Sequence, residues 1–262
     1  MPSVLPGFEY DIFISYRQKD NKGDRWVSEF ISALKTELEA TFKEDISIFF
    51  DENPHDGLLE THDVGASLKD KLRCLIFIPI ISQTYCDTKS FAWQHEFIVF
   101  NKMASKDRFG RDIKLANGNV ASRILPVKIH DIDSEDKKNY ESETGSVLRC
   151  IEFIFKQPGV NRPLKTDDNR KDNINGTIYR DQINKIADSI WSGWSRACVD
   201  LFKGKLREAL ELIIKTRDHL ASGEPFAGWW LAQIAAYAGE EEAAYAEFTA
   251  VASLNISPWI IV

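Results

Sequence analysis

Apolar residues in the first 156 positions fall into two alternating patterns. Short unbroken runs, YDIFISY (10–16), ISIFF (46–50), CLIFIPII (74–81), RILPVKI (123–129) and CIEFIF (150–155), read as buried β-strands rich in Ile and Phe. Between the first two, Trp26, Phe30, Leu34, Leu38 and Phe42 recur every fourth residue and predict an amphipathic helix. Residues 64–73 and 90–104 read as further helices. Strands alternating with helices predict an α/β fold, a parallel sheet covered on both faces. The polar segment 105–121, with Gly110 and Gly118, reads as a surface excursion. So does 156–177, where Pro, Asn and Asp oppose regular structure, and a helix then runs from about Ile178 toward Trp194.

After Arg196 the pattern becomes helical throughout and Ala-rich. Gly204 and Gly239 are each followed five residues later by Ala, at Ala209 and Ala244, an offset of 35 residues. Two readings stay open: a pair of tetratricopeptide-like helix-turn-helix units, or an ordinary helical hairpin packed on the first domain. The predicted division is an α/β domain over 8–195 and a small all-α segment over 197–258.

With 262 residues the chain is long enough for one or two domains with full cores. A net charge of −7 argues against a nucleic-acid or anionic-membrane surface. The longest apolar run, CLIFIPII, covers eight residues, far short of the ~20 that span a bilayer. The N-terminus lacks the basic-then-apolar order of a signal peptide. Cys74, Cys86, Cys150 and Cys198 are never spaced as C-x-x-C and read as free thiols. These features predict a soluble, cytoplasmic chain. His55, His62, His95 and His130 show no metal-ligand spacing, and neither G-x-G-x-x-G nor a phosphate-binding P-loop occurs. No metal or resident cofactor is expected.

In a doubly wound sheet, ligands sit outside the carboxyl ends of the strands near the reversal of strand order. Unusual polar residues fall at those ends: Ser15, Tyr16 and Arg17 after the first run, Asp51 after the second, and Ser82 after the third. A short turn then leads to the helix carrying Glu96 within SFAWQHEFIVF (90–100). The fold prediction brings Arg17, Asp51 and Glu96 to one crevice. On pattern alone Glu96 reads as a solvated helix charge, and Tyr16 as a partly buried aromatic with its hydroxyl on the backbone. Arg17 and Asp51 read equally as an ion pair between strand ends or as ligand contacts.

The segments YDIFISYR, FFDENPHDG and IISQTYCDTKSFAWQHEF resemble, in order and spacing, the corresponding boxes of TIR domains across about residues 8–190. The resemblance implies a flavodoxin-like sheet of five parallel strands. It also implies cleavage of NAD at the nicotinamide–ribose bond, an activity of many bacterial and plant members. The family's catalytic Glu follows a Ser by six residues in Ser-x-Trp-Cys-x-x-Glu. Ser90 and Glu96 keep that spacing, so the resemblance gives Glu96 the catalytic role. Ala92 stands where the family has Trp, and Trp93 where it has Cys. Tyr16, Arg17, Asp51 and Trp93 are the expected substrate contacts, with Arg17 toward the pyrophosphate and Asp51 toward a ribose hydroxyl.

One carboxylate suffices for this chemistry. Nicotinamide leaves as a neutral molecule, so no acid is needed to protonate it, unlike the leaving oxygen of an ordinary glycoside. What remains is an oxocarbenium-like ribose that a fixed anion stabilises. The resemblance further implies a role in bacterial immune signalling, activity on self-association of TIR domains, and a helical C-terminus suited to a protein partner. The competing expectation is a non-catalytic TIR interaction module in which Glu96 serves only structure.

Overall fold

A computed structural model of the chain describes residues 3, 5, 7–42, 45–51, 64–114, 119–166, 168 and 178–191. The chain divides into two compact units, Met1–Trp194 and Ser195–Val262, and every described residue belongs to the first. The helical hairpin expected over 197–258 lies outside the described residues.

Each of the five apolar runs contributes one strand. The strands are β1 (Tyr10–Ser15), β2 (Ile48–Phe49), β3 (Cys74–Ile81) and, after an antiparallel pair β4 (Asp112–Lys114) and β5 (Val120–Ser122), β6 (Val127–Lys128) and β7 (Ile151–Glu152). They form one sheet in the order β2-β1-β3-β6-β7, parallel throughout. Ile12 is in register with Ile48 on one side and Ile76 on the other. Numbered by their place in this sheet the strands run 2-1-3-4-5, one of the common orders of doubly wound sheets, with the reversal between β1 and β3. The run RILPVKI yields only a short strand: Ile124 bridges Phe77, and β6 resumes at Val127 beyond Pro126, which has no N–H to give.

The helices are α1 (Trp26–Thr41), α2 (Val64–Lys71), a π-helical turn (Ala92–Phe97) running into α3 (Ile98–Ala104), α4 (Ser134–Thr144) and α5 over 178–191. Every residue of β3 and all but the first of β1 are buried, so both faces of these central strands are covered. Successive side chains point to opposite faces. Phe13 and Phe77 point into one core with Phe97 and Phe100, and the Phe77 and Phe100 rings stack at 4.7 Å. Elsewhere Trp26 and Phe30 of α1 and Tyr179 of α5 meet Phe153 edge-on. The apolar stripe predicted for α1 is the face it buries, through Trp26, Phe30, Leu34 and Leu38.

The segment 105–121, expected as an irregular excursion, contributes the β4–β5 pair. Its root is held by Arg123, whose buried guanidinium donates to Leu75 O, Cys74 O, Gly110 O and the Asp107 carboxylate. Helix α4 has no apolar stripe, and only Tyr140 and Thr144 are buried. Its ends define it: Asp133 accepts from the N–H groups of Glu135 and Asp136, and Gly145 closes it at φ 66°.

Among the described residues no helix is long and apolar enough to cross a membrane. Cys74 and Cys86 are buried free thiols and Cys150 is half-buried.

Candidate active site

The ends of β1, β2 and β3 open into a cavity of about 750 Å³ beside the β1/β3 reversal. Tyr16 and Arg17 follow β1 into its wall, and Phe49 and Asp51 approach from β2. Leu68 and Lys71 come from α2, and Asp87, Lys89 through Ala92, and Glu96 come from the loop and helix after β3. The sequence-predicted set Tyr16, Arg17, Asp51 and Glu96 therefore lines one cavity.

Glu96 is half-buried in the π-helical turn, where Ile98 N–H reaches back five residues to Trp93 O. Such turns widen a helix by one residue and occur often at functional sites. Ser90 fixes the start of the segment: its hydroxyl accepts from Trp93 N–H at 3.1 Å and donates to Tyr85 O at 3.3 Å. Glu96 Oε2 accepts a hydrogen bond from Ser15 Oγ at 2.5 Å. The surrounding protein disfavours the charged form and pushes the carboxyl up to about 7; the Ser15 hydrogen bond opposes this, and the nearby Asp51 carboxylate adds to it. A carboxyl poised near neutrality in a cavity is a candidate reacting group.

Tyr16 is buried and its hydroxyl donates to Asp51 O, tying the end of β1 to the end of β2. That is the backbone bond its pattern suggested, made by a residue that also faces the cavity. Arg17 Nη1 lies 4.0 Å from Asp87 Oδ2, an ion pair reaching the loop after β3.

Trp93 departs from expectation. It does not line the cavity: only 3% of it is exposed, and its ring lies 4.7 Å from that of Phe97 and 6.4 Å from that of Tyr85 in the core. One residue of helical rotation is ~100°, so the aromatic shifted by one position turns inward and Ala92 faces the cavity in its stead. The exposed aromatic at the mouth is Phe91, 53% exposed and stacked on His95 at 4.7 Å.

Several lining groups carry no mark in the sequence pattern. Among the described residues, Lys19, Lys22, Lys71 and Lys89 join Arg17 in lining the cavity, five cations beside the three carboxylates of Asp51, Asp87 and Glu96. The Lys71 ammonium lies 4.6 Å from the centre of the Phe49 ring. That excess of positive charge among the described lining residues favours an anionic ligand. Ser15 stands out in sequence only as a polar residue closing an apolar run. Tyr85 has no sequence signal. Among the described residues no group of three or more His, Cys, Asp or Glu is arranged to hold a metal ion. No protein-family model matches the chain, and no curated protein matches it in sequence.

Proposed function

We propose that this chain is a TIR-type NAD glycohydrolase with a flavodoxin-like catalytic domain. The observation that carries the reading is Glu96, a half-buried carboxyl pushed up to about 7 in a cavity at the sheet reversal that cations also line. The bond from ribose C1′ to the pyridinium nitrogen breaks, and its electron pair leaves with neutral nicotinamide. The Glu96 carboxylate stabilises the positive charge that develops on the ribose, and a low-dielectric surrounding strengthens that interaction. A water oxygen then bonds to C1′ and gives a proton to solvent, yielding ADP-ribose. Attack by a nitrogen of the ligand's own adenine instead closes a cyclic ADP-ribose.

The rim cations suit the diphosphate of such a ligand, Arg17 following β1 and Lys71 standing on α2. The cavity volume lies within the range of small-molecule sites. Activity on assembly of TIR domains, a role in bacterial immune signalling, and a protein partner for residues 197–258 belong to the same proposal.

A second reading, a TIR interaction module without catalysis, draws support from one observation. The Ser15–Glu96 bond joins β1 to the π-helical turn and would serve structure alone equally well. NAD consumption at high protein concentration, with products separated by chromatography, distinguishes the two. Turnover abolished by Glu96→Ala with the fold intact supports the enzyme. Concentrated, self-associated protein without turnover supports the module.

A further inference from the structure

Ser15 is the last residue of β1 and is fully buried, as is Tyr85 in the turn after β3. Tyr85 is packed against Trp93 and Phe97 in a largely apolar cluster. Ser15 Oγ lies 2.7 Å from the Tyr85 hydroxyl and 2.5 Å from Glu96 Oε2. Ser15 has one hydroxyl proton and directs it to Glu96, so Tyr85 is the donor to Ser15. Two hydroxyls in a core are costly unless both are satisfied, and here the chain of donors ends on the cavity carboxylate.

We propose that Tyr85 and Ser15 are positioning residues that hold Glu96 as an acceptor-only carboxylate, engaging Oε2 and leaving Oε1 to the ligand. The inference rests on the reading of Glu96 as the reactive group. If Glu96 took up a proton and donated it to Ser15, the Ser15 oxygen would accept from both sides and its own proton would face the core unpaired. Breaking the Tyr85 bond is the alternative. Both weaken the relay, and a proton on Oε1 instead would turn the Oε2 acceptor from a carboxylate into a weaker neutral carbonyl oxygen, so the relay favours the ionised form in each case.

The groups facing Glu96 divide in their effect. Asp51, beyond β2, favours the neutral carboxyl together with burial. Arg17, Lys19, Lys22, Lys71 and Lys89 line the same cavity, as does Asp87, which pairs with Arg17. Ser15 is the group in direct contact, and burial holds the Tyr85 phenol well above its ordinary range, so Tyr85 remains a donor at every working pH.

The test is a carboxyl-carbon NMR titration of the full chain labelled at Glu, with the Glu96 signal assigned by its loss in Glu96→Gln. Wild type, Ser15→Ala and Tyr85→Phe are compared, and nicotinamide release is followed over the same pH range. The inference predicts a midpoint about one unit higher in Ser15→Ala and a smaller rise in Tyr85→Phe. The acid limb of turnover moves with it, and kcat at pH 7 falls several-fold at unchanged KM. Tyr85→Phe removes one oxygen without changing the packed ring, so it keeps the test valid if Ser15→Ala fails to fold. An unchanged midpoint in the folded variants overturns the relay. A shifted midpoint in a chain that does not cleave NAD upholds the relay and overturns the glycohydrolase reading.

Discussion

Ala92 and Trp93 are adjacent in sequence and face opposite environments, Ala92 toward the cavity and Trp93 into the core against Phe97. The pair locates the aromatic groups of the site. A ring reaches the cavity mouth from Phe91, one residue before Ala92, while the indole supports the wall from behind.

Trp93→Ala is therefore a stability variant: it removes a buried ring and costs about 3–5 kcal/mol in urea unfolding. Phe91→Ala, at a position 53% exposed, leaves stability within about 0.5 kcal/mol and weakens NAD binding. Calorimetric titration with NAD checks the second effect. A Phe91→Ala chain that binds as tightly as wild type removes Phe91 from the site.

The raised pKa of Glu96 links the site to stability. Its carboxyl titrates at about 7 against an ordinary 4.5, so between those values the folded chain holds the proton more tightly than the unfolded one. Stability from this group is then present below pH 4.5 and is lost as pH rises through 7. The full loss is about 3 kcal/mol. Glu96→Gln does not titrate, so its stability relative to wild type grows from pH 5 to pH 8. Urea unfolding at the two pH values measures the difference, and an equal difference at both contradicts the assignment.

The rim cations act on affinity. Arg17→Ala and Lys71→Ala each raise KM for NAD about ten- to a hundredfold, on the order of 1.5–3 kcal/mol for a hydrogen bond to a charged group, with kcat little changed. Wild-type KM rises with salt because the rim is partly open to solvent. Initial rates over a salt series test both. A KM that neither variant moves places the diphosphate elsewhere.

Away from the site, Arg123 is the buried cation most exposed to challenge by mutation. Its guanidinium satisfies three backbone carbonyls and Asp107, and sits over Phe8 and Phe100. Arg123→Ala costs on the order of 3 kcal/mol by leaving those acceptors unpaired. Thermal unfolding reads the loss, and the cavity, which Arg123 does not line, keeps its ligand affinity in the folded fraction.

The parallel sheet was legible because both faces of β1 and β3 are buried, which writes them as unbroken apolar runs. The convergence of Arg17, Asp51 and Glu96 followed from the alternation of strands and helices, because each lies after the carboxyl end of a predicted strand. Helix α4 was not legible: Tyr140 and Thr144 are its only buried residues, and the cap at Asp133 and Gly145 at its end make a weak signal without a stripe. The β4–β5 pair was hidden because its anchor, Arg123, looks like a strand-edge charge until its partners at Leu75, Cys74 and Asp107 are known. Ser15 and Tyr85 lie seventy residues apart and meet only through the β1–β3 pairing. No local pattern encodes such a contact. Trp93 was expected in the cavity, but its place one residue on from Ala92, ~100° round the helix, turns it into the core.

The most direct measurement is nicotinamide release at saturating NAD by wild type and Glu96→Gln, at pH 8 and high protein concentration, with folding of both checked by circular dichroism. The account predicts that the variant binds NAD, remains folded and turns over about 10²–10³-fold more slowly. Equal turnover by the two proteins would contradict it.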